Sequence, residues 1–167
     1  MTQTATAQEF AITRSYTAPI EKLYHAWTDP ESMKQWFGPK GFTMPECRVD
    51  LRPGGTTFYS MEGPDGAKMW GKMVYREIVP QERIVAVHSF ADEQGGPARH
   101  PMNAMWPMEW LSTVTFSTAG GTSTVTIRWQ PIKATPEEAR TFGEGHAEMQ
   151  NGWGGTLDRL GEYLAKP

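Results

Sequence analysis

Two histidines lie in patterned segments of the sequence, where they are predicted to face the protein interior. His88 follows the alternation of Ile84 and Ala86, and His146 shares the 3.6-residue spacing of the C-terminal segment. In an apolar pocket, a neutral imidazole can orient a ligand carbonyl or hydroxyl group or act as a general base. Each histidine can equally be a hydrogen-bonded core residue. The sequence leaves both interpretations open.

Methionine and tryptophan are the second notable feature, with 10 and 7 copies in a chain that is only 38% hydrophobic. Flexible thioethers and flat indoles suit an adaptable apolar cavity, although they also serve as ordinary core residues. The choice between the two faces of each strand is a hypothesis, since strand register sets it. The predicted ligand-binding residues come from four strands, a loop and the C-terminal helix: Phe58, Met69, Met73, His88, Phe90, Met105, Trp106, Trp110, Phe142, His146, Met149 and Trp153.

Other kinds of chemistry lack a sequence signature. The single cysteine, Cys47, excludes an intramolecular disulfide. The histidines do not have metal-ligand spacing, and there is no phosphate loop, dinucleotide fingerprint or Ser-His-Asp pattern. We therefore predict no metal and no cofactor.

Charge and hydropathy restrict the kinds of partner that the protein can bind and indicate its cellular location. A net charge of −3 gives no basic surface for nucleic acid. No run approaches the roughly 18 apolar residues of a membrane helix, which predicts no membrane insertion. The opening residues MTQTATAQEF carry no secretory pattern, so we predict a cytoplasmic protein.

The elements that must position these residues follow a simple order. Alternation from Glu9 to Tyr16 predicts a first strand, and two short helices follow, the second capped by Asp29 before Pro30. Turns rich in glycine and proline bound six further predicted strands, which cover residues 43–51, 55–62, 68–79, 83–90, 109–117 and 122–131.

The C-terminal segment predicts one long helix. Thr135 provides an N-cap, and the apolar spacing continues for about 25 residues. Glycines at 152–155 are predicted to weaken or kink this helix, or to allow close approach to the sheet. Strands grouped apart from helices indicate an α+β fold with an antiparallel sheet. The loop 91–108 holds Met102, Met105, Trp106 and Met108, and we expect all four side chains to pack against the protein.

Several motifs together resemble a known family. The segments AWTDP (26–30), WFGPKGFT (36–43), VDLRPGG (49–55), GPDG (63–66), ERIV (82–85), TVTF (113–116) and GWGGTLDRLGEYL (152–164) resemble the Activator of Hsp90 ATPase homologue 1-like (AHSA1-like) branch of the START-like, or SRPBCC (Bet v 1-like), superfamily. The resemblance covers one predicted domain, residues 8–165, after a tail at 1–7 that we predict to be disordered. It implies a helix-grip fold, in which a curved antiparallel sheet of six to seven strands wraps around the long C-terminal helix. Two short helices follow strand 1.

Function transfers less reliably than fold, and three hypotheses follow from the resemblance. The first is binding of a small apolar or aromatic molecule in a deep cavity between the sheet and the C-terminal helix. The second is an enzyme of the cyclase, dehydratase or hydrolase type that uses His88 or His146. The third is a co-chaperone-like or stress-response protein with an Hsp90-type partner. The chain is expected to be a monomer or a homodimer.

Overall fold

The structure is a computed structural model that describes residues 9–167. The predicted tail, residues 1–7, and the first residue of the predicted domain lie outside the described residues. The helices are α1 (Ile20–Thr28), α2 (Pro30–Trp36), α3 (Pro136–Glu144) and α4 (His146–Leu164). The strands are β1 (Phe10–Tyr16), β2 (Thr43–Val49), β3 (Thr56–Glu62), β4 (Lys68–Val79), β5 (Arg83–Ala91), β6 (Pro97–Ala98), β7 (Glu109–Ala119) and β8 (Thr122–Ile132).

One antiparallel sheet contains all the strands, in the order β1-β8-β7-β5-β4-β3-β2. The two-residue strand β6 pairs with the end of β5 within the predicted loop and adds little to the sheet. Helix α4 packs against β1, α1 and α2, and α2 also covers β2. The predicted α+β helix-grip fold, with seven principal strands around a C-terminal helix, is therefore confirmed.

The core lies on the concave face of the sheet, beneath the helices. Strand β5 shows the underlying pattern, because Ile84, Ala86 and His88 are buried while the residues between them are partly exposed. Helix α2 begins as the sequence predicts, since the Asp29 carboxylate accepts a hydrogen bond from the backbone N–H of Ser32 at 2.9 Å. Its last residue, Trp36, is fully buried.

The prediction of a single long C-terminal helix is wrong in one respect. Two helices replace it, and Gly145 separates α3 from α4. A Cβ atom at this position would lie 3.1 Å from the ring of Trp106, so the close approach of that indole leaves little room for a side chain. Helix α4 then runs without interruption through glycines 152, 154 and 155, where weakening, a kink or close approach to the sheet was expected.

The start of α3 carries a complete capping box. The Thr135 hydroxyl accepts a hydrogen bond from the Glu138 backbone N–H at 3.1 Å, and the Glu138 carboxylate accepts one from the Thr135 N–H at 3.0 Å. Thr135→Ala is expected to lower the free energy of unfolding by about 1 kcal/mol in urea titrations. Thr141→Ala, a change within the same helix that removes no cap, is the control. Equal losses in the two variants would contradict the capping role.

Among residues 9–167, none of the helices combines the length and apolar character needed to cross a membrane.

Candidate functional site: an aromatic cavity

A cavity of about 290 Å³ lies between the concave face of the sheet and the first half of α4. Strands β3, β4, β5, β7 and β8 contribute to its wall, together with the segment after α2 and the loop that precedes β7. The lining residues are Phe37, Gly38, Pro39, Tyr59, Met61, Met69, His88, Ser89, Phe90, His100, Trp106, Trp110, Trp129, Gly145, Glu148, Met149, Gly152, Trp153 and Thr156.

Strand register decides which side chains reach this cavity. Directly paired residues of an antiparallel sheet share a face. His88 pairs with Met73 on one side and with Trp110 on the other, while Tyr59 pairs with Gly71. The concave face therefore carries the odd-numbered residues of β3, the odd-numbered residues of β4 as far as Tyr75, where the register shifts, and the even-numbered residues of β5 and β7.

A buried hydrogen bond joins Tyr59 and His88. The Tyr59 hydroxyl lies 2.8 Å from Nε2 of His88. Burial lowers the pKa of His88 to about 3, and it raises the pKa of Tyr59 above its ordinary value. Both groups are therefore neutral at physiological pH, and the pair provides a fixed, uncharged polar feature in an apolar wall.

Glycine at position 71 makes room for this pair. A Cβ atom there would lie 2.5 Å from Cζ of the Tyr59 ring and would also overlap the hydroxyl oxygen. The Tyr59 ring thus lies directly over the glycine of the neighbouring strand. Phe37 contacts its edge, with ring centroids 5.5 Å apart, and helps to hold the ring in place.

Indole rings form a continuous part of the wall. The Trp110 centroid lies 5.3 Å from that of Trp129 and 6.3 Å from that of Trp106, and Trp153 meets Trp129 edge-on at 5.7 Å. Buried Nε1 atoms of Trp106, Trp110 and Trp129 have no hydrogen-bond partner among residues 9–167. The indole N–H groups of these three neighbouring side chains are therefore shielded from solvent without an acceptor among these residues.

The mouth of the cavity contains the titratable residues His100 and Glu148. Glu148 is exposed, and burial lowers the pKa of His100 against a smaller opposing effect of Glu148. Arg99 organises the loop, because it donates hydrogen bonds to the carbonyls of Ala104 and Trp106 and to the Glu138 carboxylate, the last at 2.7 Å. Trp106 is thereby held against α3.

Arg159 of α4 fixes the segment after α2, which forms part of the cavity wall. Its guanidinium donates hydrogen bonds to the carbonyl oxygens of Gly38, Pro39 and Phe42 at 2.9–3.1 Å. Gly38 and Pro39 line the cavity, so this contact connects the wall after α2 to the helix that forms the opposite wall.

The structure brings seven of the twelve residues predicted to bind ligand to this cavity: Met69, His88, Phe90, Trp106, Trp110, Met149 and Trp153. Met73 is placed differently, beside a much smaller neighbouring pocket. Phe142 is fully buried against Trp106, and His146 contacts Phe142 and Phe10.

Phe58 and Met105 do not line the cavity. Phe58 points to the convex face of the sheet, where the Arg48 guanidinium lies 5.0 Å from its ring centroid. Met105 is 39% exposed and Met102 is 88% exposed, so the expectation that all four loop side chains pack against the protein is wrong for these two. Arg99 holds the loop backbone through the carbonyls of Ala104 and Trp106, whereas the Met102 and Met105 side chains remain exposed.

Sequence reasoning missed several lining residues, most importantly Tyr59, Trp129 and Phe37. Trp129 continues the buried alternation of Val125 and Ile127, and this signal was available in the sequence. Tyr59 gave no such signal, because residues 57–61 are all buried and the two faces of β3 cannot be told apart by pattern.

Within the described part of the chain, no group of three His, Cys, Asp or Glu side chains is arranged to hold a metal ion.

Comparison with protein-family models identifies the relatives of this fold. The model for Activator of Hsp90 ATPase homolog 1-like protein matches residues 17–165, nearly the whole chain. The chain belongs to this AHSA1 family. Membership in the AHSA1 family indicates a ligand-binding fold of the START-like type. The search of curated proteins gave no match.

Solved structures of similar proteins share the AHSA1 architecture. Protein Ms6760 from Mycobacterium smegmatis superimposes with a TM-score of 0.79 at 21% identity, covering 98% of this chain and 94% of that one. Protein NE0264 from Nitrosomonas europaea gives 0.74 at 25% identity, with 95% and 94% covered. An AHSA1 protein from Silicibacter pomeroyi gives 0.73 at 16% identity, with 94% and 97% covered.

Proposed function

We propose that this AHSA1-family protein binds a small apolar or aromatic molecule in the cavity between the sheet and α4. The observation that carries the proposal is an aromatic wall around about 290 Å³ that the protein's own side chains leave unfilled. Protein interiors are normally packed to crystal-like density with few voids larger than a water molecule. An open space of this size, at the lower end of the range for small-molecule sites, favours a ligand.

The expected affinity follows from the area that a ligand would bury. About 300 Å² of apolar ligand surface at about 25 cal/mol/Å² gives a gross gain of roughly 7–8 kcal/mol. Loss of translational and rotational freedom offsets part of this gain, so we expect micromolar affinity or weaker. The Tyr59–His88 pair supplies a fixed polar contact that can orient the ligand.

The same pair argues for binding rather than catalysis. A general base is most effective when its pKa lies near the operating pH. Burial lowers the pKa of His88 to about 3, which makes it a weak base at neutral pH. A neutral imidazole remains well suited to hydrogen bonding. The chaperone hypothesis rests on the family resemblance alone and stays a prediction.

Two glycines of α4 provide a matched test of the cavity. Gly152 lines the cavity, whereas Gly154 does not, and a Cβ atom at either position would meet nothing within 4 Å. Gly152→Leu is expected to fill part of the cavity and to weaken binding of the neutral fluorescent probe N-phenyl-1-naphthylamine at least tenfold. Gly154→Leu is expected to bind the probe like the unmodified protein.

Both leucine variants should unfold at the same or a higher urea concentration, because leucine favours a helix over glycine by roughly 0.5–1 kcal/mol. A loss of binding in the first variant alone would therefore not reflect unfolding. Equal probe affinity in both variants, or no probe binding by the unmodified protein, would contradict the proposal. As a separate measurement, native mass spectrometry of the gently purified protein identifies any molecule carried from the cell.

A further inference from the structure

A second, much smaller pocket adjoins the candidate ligand cavity. Its volume is about 20 Å³, and a water molecule needs roughly 10–15 Å³. The two spaces are neighbours because four residues line both of them: Phe37, His88, Trp129 and Trp153. Apart from His88, Ser112 and Tyr75, the lining of the small pocket consists of Ala, Val, Ile, Met, Phe and Trp side chains. The pocket is large enough for one water molecule and too small for an organic ligand.

Ser112 of β7 brings an unpaired hydroxyl group to this pocket. The residue is only 6% exposed, and its hydroxyl takes part in no hydrogen bond within residues 9–167. Among those residues, the side-chain polar atoms that are both unpaired and fully shielded are the Tyr24 hydroxyl and three indole Nε1 atoms. The Ser112 oxygen is therefore not fully shielded, and the space that it reaches is the pocket that Ser112 lines. A buried hydroxyl without a partner is unfavourable, which favours a water at this place.

His88 of β5 brings a second unpaired atom. Its Nε2 atom is hydrogen-bonded to the Tyr59 hydroxyl, whereas Nδ1 has no partner in the part of the chain that the structure describes. The Tyr59 hydroxyl has only this one hydrogen bond there, so its O–H group is satisfied when it donates to Nε2. A neutral imidazole then carries its own proton on Nδ1. Because His88 is only 5% exposed, that N–H group requires an acceptor inside the protein.

The register of the sheet sets the distance between these two groups. His88 pairs directly with Trp110, and Ser112 pairs with Ala86, so Ser112 is the diagonal neighbour of His88 on the concave face. Diagonal neighbours lie roughly 7–8 Å apart, which is too far for a direct hydrogen bond from a short serine side chain. One water molecule bridges such a gap with two hydrogen bonds of about 2.8–3.0 Å each.

From these observations we propose that the small pocket binds one ordered water molecule, which accepts a hydrogen bond from Nδ1 of His88 and forms a second one with the Ser112 hydroxyl. This site goes beyond the proposed function and does not depend on it. An internal water typically makes about two to four hydrogen bonds, whereas an entirely apolar pocket stays dry. The water completes a polar chain from Tyr59 through His88 to Ser112. That chain fixes the tautomer of His88 and the orientation of its ring.

A high-resolution crystal structure and NMR spectroscopy of His88 test the water site. We expect one peak of electron density in the small pocket, within hydrogen-bond distance of Nδ1 of His88 and Oγ of Ser112. Long-range ¹H–¹⁵N spectra are expected to show a single neutral tautomer of His88, with its proton on Nδ1. Cross-relaxation between that proton and a bound water should be observed. A pocket without density, or a proton on Nε2, would overturn the proposal.

Two alanine variants of β7 test the role of Ser112. Ser112→Ala removes the hydroxyl and leaves the water with His88 as its remaining side-chain partner, so we expect the occupancy of the water to fall at least twofold. Thr113→Ala is the control, because Thr113 follows Ser112 in the same strand and lies on the convex face. The control should keep the water at full occupancy. Full occupancy in Ser112→Ala, or an equal loss in both variants, would overturn the bridge to Ser112.

Probe binding and the water site are measured separately, so their failures can be told apart. A protein that binds N-phenyl-1-naphthylamine but has a dry small pocket would contradict the water site alone. A protein that holds the water but does not bind the probe would support the water site and contradict the proposed function.

Discussion

Gly71→Ala is expected to lower the free energy of unfolding by about 2–3 kcal/mol, a large effect for the addition of one methyl group. Overpacking of a well-packed core costs about this much. The new Cβ would lie 2.5 Å from Cζ of Tyr59 and would overlap the hydroxyl oxygen, far inside van der Waals contact. The Tyr59 ring must move, and the hydrogen bond to His88 must break or lengthen. Urea unfolding measures the loss.

Substitutions at position 59 test this steric explanation. Tyr59→Phe removes the hydroxyl but keeps the ring, so Gly71→Ala should remain costly in that background. Tyr59→Leu removes the ring, so Gly71→Ala should become nearly neutral there. A double-mutant cycle gives the coupling energy between the two positions, which we expect to be about 2 kcal/mol for the leucine background. Similar costs in all three backgrounds would contradict the proposed ring contact.

Ligand binding provides a second measurement of the same change. Tyr59 lines the cavity, so a ring displaced by the added methyl group has open space on that side. We expect Gly71→Ala to weaken probe binding as well as stability. Unchanged probe affinity in Gly71→Ala would contradict displacement of the ring into the cavity.

Acidification from pH 7 to pH 5 is expected to lower the free energy of unfolding by about 2 kcal/mol through His88 alone. Burial lowers the pKa of His88 in the folded protein from an ordinary 6.5 to about 3. Between these two values the unfolded chain binds a proton that the folded chain excludes. The contribution of His88 to stability is therefore fully present above about pH 6.5 and decreases as the pH falls toward 3.

The surroundings of His88 explain why the proton is excluded. Its partner Tyr59 is neutral, and its ring contacts are Trp110, at 4.8 Å between centroids, and Trp129, at 5.5 Å. The contacting side chains Tyr59, Trp110 and Trp129 carry no negative charge that could stabilise an imidazolium. The cause of the low pKa is burial, and no ion pair opposes it.

A double variant isolates the contribution of His88. Tyr59→Phe combined with His88→Phe removes both hydrogen-bonding partners, so neither is left unpaired. The pH dependence of its unfolding free energy between pH 7 and pH 5 should be smaller by about 2 kcal/mol than that of the unmodified protein. Burial also lowers the pKa of His100, which contributes to the pH dependence of both proteins. The contribution of His88 is therefore the difference between the two pH dependences of the unfolding free energy. Equal slopes would contradict a buried neutral His88.

The carboxylates change the free energy of unfolding mainly below pH 5. They therefore do not obscure the comparison of the two proteins between pH 7 and pH 5. Hydrogen bonds from Arg99 and Arg14 hold the pKa values of Glu138 and Asp158 below their ordinary values of 4.5 and 3.8. The stability gained from these groups is present above the ordinary values and is lost as the pH falls below them. Most of that loss lies below pH 5.

The amino-acid sequence determined the element order and the fold class. Alternation marked the strands, glycine and proline marked the turns between them, and Asp29 and Thr135 marked the starts of helices α2 and α3. These signals are local, since they depend on backbone geometry within a few residues. The family motifs extend along nearly the whole chain and agree with the same architecture.

The tertiary structure decided which residues face the cavity. Every residue from Thr57 to Met61 is buried, so the period of two could not indicate whether Phe58 or Tyr59 faces the helix. Pairing with β2 and β4 settles the face of the whole strand, because a one-residue shift reverses every side chain. Phe58, which the sequence analysis predicts to bind ligand, therefore lies on the face opposite the cavity.

Packing between distant segments decided the remaining features. Gly71 accommodates a ring from a neighbouring strand, and Gly145 accommodates an indole from a loop nearly 40 residues earlier in the chain. Neither requirement is visible in the local pattern, which at position 145 suggested an uninterrupted helix. A cavity is the space that packed side chains leave empty, so its walls depend on long-range contacts that a local sequence pattern does not encode.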